Sequence, residues 1–324
     1  MIISNAAMMR KPIPTLRDIK DAAKNISPYA HITPVLSSTI IDNYLNARLF
    51  FKCENFQKAG AFKFRGATNA LLNMVDKNNS GPVTTHSSGN HAGALAKAAA
   101  ALGIECIVVM PENAPKVKVE AVKTYGAAIR FCEPTLAARE YTTDQVIKET
   151  GALLIHPYNN FYIIAGQGTA SLELLDKQPD LDVIIAPVGG GGMLSGTAIA
   201  SKAINPAIKV YGGEPMGADD AFRSFKAGKI IPSVNPETIA DGLLTSLGEL
   251  TFEAIINNVD KIIPVSESQI IAAMKMIWQY LKIVVEPSAA VPLAAILENK
   301  HLFEGKNTGI ILTGGNVDLE KLPF

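Results

Sequence analysis

Short apolar runs alternate with stretches of helical periodicity along most of the chain. Runs rich in β-branched and aromatic residues, closed off by turn residues, read as strands over 47–52, 83–85, 105–110, 128–131, 183–186, 209–212 and 308–312. Between them, a period near 3.6 predicts helices over 64–72, 91–102, 115–125, 136–149 and 193–203. Ser266-Glu267-Ser268-Gln269 is a capping-box pattern, and it opens a long amphipathic helix that runs through Trp278 and Leu281. Strands alternating with helices predict an α/β fold of two open, twisted, mostly parallel sheets covered by helices. Residues 81–158 carry their own alternation and predict a small, mobile inserted domain, which leaves 1–80 and 159–324 as a discontinuous large domain. Ligands of such sheets sit beyond the carboxyl ends of the strands, so the cleft between the two domains is the expected site.

Composition narrows the function classes. Across 324 residues, 48% are hydrophobic and 19% charged, the balance of a globular protein with a sizeable core. Thirty basic and thirty acidic residues cancel, and no long basic run gives the footprint of a nucleic-acid binder. The start, Met1 to Pro14, lacks the continuous apolar segment of a signal peptide. The most membrane-like stretch, 92–110, is broken by Lys97 and Glu105 and reads as a helix followed by a strand. Cys53, Cys106 and Cys132 show no metal-binding spacing, and a cytoplasmic location is the simplest expectation.

Four segments carry candidate chemistry. Lys63 lies in Lys58-Ala59-Gly60-Ala61-Phe62-Lys63-Phe64-Arg65-Gly66, bracketed by glycines and flanked by aromatics. Desolvation between Phe62 and Phe64 would lower its pKa and suit the amine to Schiff-base chemistry; the plainer alternative is a lysine stem lying on apolar neighbours. Gly189, Gly190, Gly191 and Gly192, followed by Met193, join a strand to a helix. A strand-to-helix turn needs one or two glycines; four expose a run of N–H groups at a helix start, which suits a phosphate. Ser195 or Leu194 stands where a dinucleotide fingerprint needs its third glycine, and there is no Gly-Lys-Ser/Thr of a nucleotide P-loop. Ser87-Ser88-Gly89-Asn90-His91 opens a helix and can hold a carboxylate, or its serines are simple caps. His86 and His91 read as structural rather than catalytic. Thr313-Gly314-Gly315-Asn316 follows the last strand and offers either a turn or a neutral hydroxyl for a cofactor ring.

In their chain order, the four segments resemble the fold-type-II pyridoxal phosphate enzymes, the tryptophan synthase β-like fold, and within them the serine racemase and serine/threonine dehydratase family. The resemblance implies that Lys63 carries pyridoxal 5'-phosphate with Phe62 near the ring, and that Asn90 meets the ring hydroxyl. It implies that Gly189, Gly190, Gly191, Gly192 and Met193 hold the phosphate, and that Thr313 meets the ring nitrogen. Ser87, Ser88, Asn90 and His91 would bind the substrate. A hydroxyl does not keep the pyridine protonated as an aspartate would, so the ring is a weaker electron sink; Cα proton exchange and β-elimination stay accessible while transamination is disfavoured.

Within the family, racemases carry Ser-Ser-Gly-Asn-His where threonine dehydratases carry Ser-Ala-Gly-Asn-His, and this chain has the racemase form. Ser88 is the candidate acid–base group opposite Lys63, and the expected activity is serine racemisation with elimination of serine to pyruvate and ammonia. The alternatives are a serine/threonine dehydratase, a 3-hydroxyaspartate dehydratase or an aspartate racemase. Ala59, Ala61 and Gly93 depart from the racemase pattern. Glu214, Asp219 and Asp220 offer hard oxygen ligands or helix caps. The resemblance implies that Glu214, the Ala218 carbonyl and Asp220 bind Mg²⁺ (or Ca²⁺ or Mn²⁺). It also implies a homodimer, with Asn316 and Lys282 at positions associated with activation by ATP. A nicotinamide-dependent dehydrogenase, with Glu214 on the ribose, leaves Lys63 unexplained; a non-catalytic cofactor-binding protein is the remaining class.

Overall fold

The computed structural model of the protein describes residues 12–75, 81–87, 89–114 and 116–324. The strands, in chain order, are β1 (Val35–Leu36), β2 (Arg48–Cys53), β3 (Val83–His86), β4 (Cys106–Pro111), β5 (Ala128–Cys132), β6 (Leu153–Leu154), β7 (Val183–Pro187), β8 (Lys209–Pro215), β9 (Lys261–Val265) and β10 (Asn307–Leu312). They form a six-stranded sheet, β1-β2-β10-β7-β8-β9, and a four-stranded sheet, β5-β4-β3-β6. Every pairing is parallel except β1 with β2. The strands of the smaller sheet all come from 83–154, between β2 and β7 in sequence.

Alternation along the central strands sorts side chains into two cores. Val183, Ile185, Ile310 and Leu312 face helices Glu267–Leu281 and Pro287–Glu298. Ile184, Ala186 and Ile311 face helices Phe161–Lys177 and Gly192–Ile204. A third core lies under the smaller sheet. There Phe64, Ala67, Ala70 and Leu71 of helix Lys63–Met74 pack with Leu95 and Ala99 of helix Asn90–Leu102. Helix Lys63–Met74 therefore belongs to the smaller sheet's core while bonding Gly66 N–H to Gln167 Oε1 on the helix beneath the large sheet (3.2 Å).

Register sets the site. Thr308 of β10 lies opposite Leu49 and Val183, and Val183 lies opposite Lys209. Three parallel strands in step thus end together, and Thr313, Gly189 and Glu214 arrive along one rim. Among the elements that the local pattern did not reveal are helices Phe161–Lys177 and Pro287–Glu298 and strand β9. The first helix buries eleven consecutive or near-consecutive residues, Gly166 and Gly168 included, and the second contains Pro292. Neither shows the polar face on which a 3.6 period is read.

Beside the large sheet, Arg65 of the Lys63 helix enters a buried ionic cluster. Its guanidinium bonds Glu54 through Nε (2.7 Å) and NH2 (2.8 Å), and Glu173 through NH1 (2.6 Å) and NH2 (2.9 Å). Lys52 Nζ bonds Glu173 (2.5 Å) and the Thr33 carbonyl (2.7 Å).

Candidate active site

Lys63 is the first residue of its helix, entered through Phe62, whose N–H bonds the Thr313 carbonyl (3.0 Å). That bond and the Ala61–Gly314 bridge join the Lys63 and Thr313 segments directly. The Lys63 amine donates to the Pro157 carbonyl (2.9 Å) and stands 5.1 Å from the Phe62 ring centroid. Burial lowers its pKa to about 8, with the Glu286 carboxylate working in the other direction. The expected aromatic sandwich is not what desolvates it. Phe64 turns into the core under the smaller sheet, where Lys58 rests on its ring at 5.8 Å, because successive helical residues point about 100° apart.

The glycine loop leaves β7 and enters helix Gly192–Ile204. Gly191 has φ +87°, a left-handed conformation that a side chain would strain. A β-carbon on Gly190 would come within 2.5 Å of the Tyr158 ring. Tyr158 follows the Pro157 that receives the Lys63 amine, so the glycine loop and Lys63 are neighbours. Among the described residues, no acceptor meets the N–H groups of Gly189, Gly190, Gly191, Gly192 or Met193, although all five residues are buried. A buried run of unanswered donors at a helix start fits a phosphate group.

Two imidazoles, His91 and His156, feel the Lys63 charge, and burial lowers the pKa of both. His156 Nδ1 accepts N–H from Tyr158 (3.3 Å) and Asn159 (2.9 Å), which places its proton on Nε2. Burial, with help from His86 and Lys63, takes its pKa down to about 4. His91 is buried, with Nε2 against the Ile155 carbonyl (3.2 Å), and burial holds it well below the usual histidine range. Ser87 accepts the Gly89 N–H (3.2 Å), a local turn bond. Ser88 lies outside the described residues.

Asn90 is engaged on both ends of its amide. Its nitrogen donates to Glu286 Oε1 (2.7 Å) and Oε2 (3.0 Å), and its oxygen accepts from Asn316 Nδ2 (2.9 Å). Glu286 is the residue that reading the sequence missed. Burial, with Asp241 adding to it, raises its pKa to about 7, against the Asn90 bonds. The signal was present as a lone acid between the apolar runs 283–285 and 289–291, just before Pro287. A carboxylate in such a place needs a partner.

Glu214 and Asp220 form a separate acidic pair at the end of β8. Glu214 accepts the N–H groups of Ala221 (2.8 Å) and Phe222 (2.7 Å), and burial raises its pKa to about 9. Burial takes Asp220 to about 6, and neither of its carboxylate oxygens has a hydrogen-bond partner among the described residues. Asp219 turns away to Arg223 (2.7 Å). No group of three or more His, Cys, Asp or Glu side chains that could hold a metal occurs among the described residues. Glu214, Asp220 and a carbonyl such as that of buried Ala218 are nevertheless the hard-oxygen chemistry a divalent cation takes. No described helix is long and apolar enough to cross a membrane.

Comparison with known proteins shows the family. Residues 26–314 match the family model of pyridoxal-phosphate dependent enzymes. The chain is 50% identical to a β-hydroxyaspartate dehydratase of Paracoccus denitrificans, over 96% of this chain and 99% of that protein. It superposes on the crystal structure of serine racemase from Dictyostelium discoideum with a TM-score of 0.90 at 51% identity, covering 94% of this chain and 99% of the other. Against the structure of maize serine racemase the TM-score is 0.93 at 50% identity, covering 95% of each.

Proposed function

Because this chain belongs to the pyridoxal-phosphate dependent enzymes, we propose that it interconverts L- and D-serine and also eliminates water from serine, releasing pyruvate and ammonia. One observation carries the reading. The Lys63 amine, lowered to about 8, has a backbone carbonyl rather than a carboxylate as its hydrogen-bond partner, and it lies beside a buried loop of free N–H donors. An amine at about 8 is roughly one-tenth neutral at pH 7, against about three in ten thousand at its ordinary value.

Pyridoxal phosphate bound through Lys63 would supply the electron sink that acidifies the Cα–H of an attached amino acid. The loop Gly189 to Met193 would receive its phosphate, Thr313 would face the ring nitrogen, and Asn90 with Glu286 would border the ring hydroxyl. Lys63 then takes the Cα proton from one face. A proton returned from the other face inverts the centre, and Ser88 is the group we assign there. Loss of the β-hydroxyl as water gives elimination instead, and a second water hydrolyses the released aminoacrylate to pyruvate and ammonia. Ser87, Asn90 and His91 border the start of the helix whose N-terminus would take the substrate carboxylate. Residues 81–158 would close as a unit over the cleft.

The test is purified protein with L-serine, measuring D-serine and pyruvate together. Both should accumulate, and Ser88→Ala should suppress racemisation by about 10²-fold or more while elimination falls less. Pyruvate without D-serine would overturn the racemase reading. A second reading, dehydration of 3-hydroxyaspartate, is favoured by the Paracoccus relative and by Arg139, whose charge helps to lower the pKa of half-buried His86. Arg139 has no carboxylate partner within ion-pair distance among the described residues and could meet a second substrate carboxylate. A kcat/KM for 3-hydroxyaspartate well above that for serine, lost in Arg139→Ala, would select it.

Glu214, the Ala218 carbonyl and Asp220 would bind Mg²⁺ or a similar cation as a structural activator. ATP activation is a further expectation. Asn316 borders a cavity of ≈ 160 Å³ with Lys118 and Tyr125, and Lys282 caps a neighbouring helix with φ +58°. A cytoplasmic homodimer completes the proposal, and sedimentation of the purified protein tests the assembly.

A further inference from the structure

We propose that Asn316 is a positioning residue for Lys63: its amide holds Ala59 and Gly60 in a left-handed turn and, through the same nitrogen, fixes the side chain of Asn90. The inference rests on Lys63 being the cofactor lysine.

Ala59 has φ +59° and ψ 16°, and Gly60 has φ +69°. Two successive left-handed residues are unfavourable, and at Ala59 a β-carbon makes the conformation costly. Three residues later the chain reaches Lys63, through Ala61 on its bridge to Gly314 and Phe62 on its bond to Thr313. The direction in which Lys63 leaves the rim is therefore set by how this turn is held. Gln57 anchors it from before, accepting from Lys58 N–H (2.9 Å) and His31 N–H (3.0 Å). Asn316 anchors it from the other side. Asn316 Nδ2 donates to the Ala59 carbonyl (2.9 Å), while the Gly315 N–H donates to the Gly60 carbonyl (3.0 Å).

The hydrogen count leaves no freedom in this arrangement. An amide nitrogen has two hydrogens; Asn316 spends one on Ala59 and the other on the Asn90 oxygen (2.9 Å). Asn90 then presents both of its hydrogens to the Glu286 carboxylate. A flipped Asn316 would set its oxygen against two acceptors. A β-carbon on Gly60 would lie only 2.3 Å from the same oxygen, so a side chain there would push the Asn316 amide out of place. Asn316 is itself solvent-exposed, so its replacement leaves no cavity in the core and need not unfold the protein.

The experiment compares Asn316→Ala, Asn316→Asp, Ala59→Gly and Asn316→Ala with Ala59→Gly. Hydrogen exchange across 57–66 is read in cofactor-free protein, and the attachment rate of added pyridoxal phosphate is followed by its visible absorption. Asn316→Ala should speed exchange at Gly60 and Phe62 by about 10-fold and slow attachment by a similar factor. Asn316→Asp, the same shape without donors, should be at least as damaging. Ala59→Gly should change attachment little in the native background, where the turn is already formed. In the Asn316→Ala background it should restore several-fold, since glycine adopts the turn without the penalty. Wild-type behaviour of Asn316→Asp, or an equal effect of Ala59→Gly in both backgrounds, overturns the proposal. If the native protein fails to attach the cofactor at all, the assignment of Lys63 falls instead, and the exchange data still decide whether Asn316 holds the turn.

Discussion

Glu54 and Glu214 are both fully buried carboxylates at the carboxyl edge of the large sheet, and they are held in opposite electrostatic states. Burial alone would raise both. At Glu54 the Arg65 guanidinium and Lys52 outweigh it, and the carboxyl sits below its usual range. At Glu214 the only help is two backbone N–H groups, while Asp220 and Asp219 add repulsion, so the group is pushed up to about 9. The first carboxylate is finished by the chain's own cations. The second has the chemistry of a site that a cation from solution would finish. Interior acid is therefore no single category: what surrounds it separates a scaffold element from a binding element.

Removing the cation from the finished cluster should give the largest effect. Arg65→Met leaves Glu54 and Glu173 facing each other without their bidentate partner, and we expect a loss of about 3–5 kcal/mol in denaturant unfolding. Adding Glu54→Gln should return part of it, because the uncompensated charge then disappears. A loss below about 1 kcal/mol in Arg65→Met would mean that the cluster is dispensable.

Adding a cation to the unfinished pair should give the next effect. If Mg²⁺ binds only the folded state, a concentration 100 times its Kd stabilises by about 2.7 kcal/mol, or roughly 5 °C in Tm for a chain of this size. Asp220→Ala should abolish the shift, and Asp219→Ala, at the residue that faces Arg223, should preserve it. An equal shift in native protein and Asp220→Ala would place the cation elsewhere.

The same contrast explains what could be read in the chain beforehand. The α/β architecture was legible because the strands at 183–187 and 307–312 are short apolar runs, each followed by a glycine-rich turn. Lys63, the glycine loop and Thr313 were legible because their chemistry is written in consecutive residues. Glu286 and the Arg65 cluster were not. Their meaning lies in partners 196 residues away for Asn90 and Glu286, and 108 away for Arg65 and Glu173, and no local pattern records such a pairing. Phe64 misled for a related reason: adjacency in sequence suggests shared surroundings, but in a helix it separates them. The Glu214 segment was legible only as an ambiguity between cap and ligand, and the structure retains both features, since Glu214 accepts two helix N–H groups while Asp220 has none.

Glu286 lies between the two extremes and gives the smallest and most specific effect. Asn90 meets its carboxylate, yet burial leaves it near 7, about half ionised at neutral pH. Its negative charge is what raises the Lys63 amine against burial. An opposite charge stabilises the ammonium form, so removing it lowers the pKa of the amine. Attachment of pyridoxal phosphate needs the neutral amine, so its rate in native protein should rise with pH and level off above about 8. Glu286→Gln keeps an oxygen for Asn90 but discards the charge. Its profile should level off at lower pH, displaced by about one unit or less, whatever happens to the plateau rate. An inflection that stays in place or moves upward would show that Glu286 does not control the protonation of Lys63, and would leave its burial beside Asn90 a matter of structure alone.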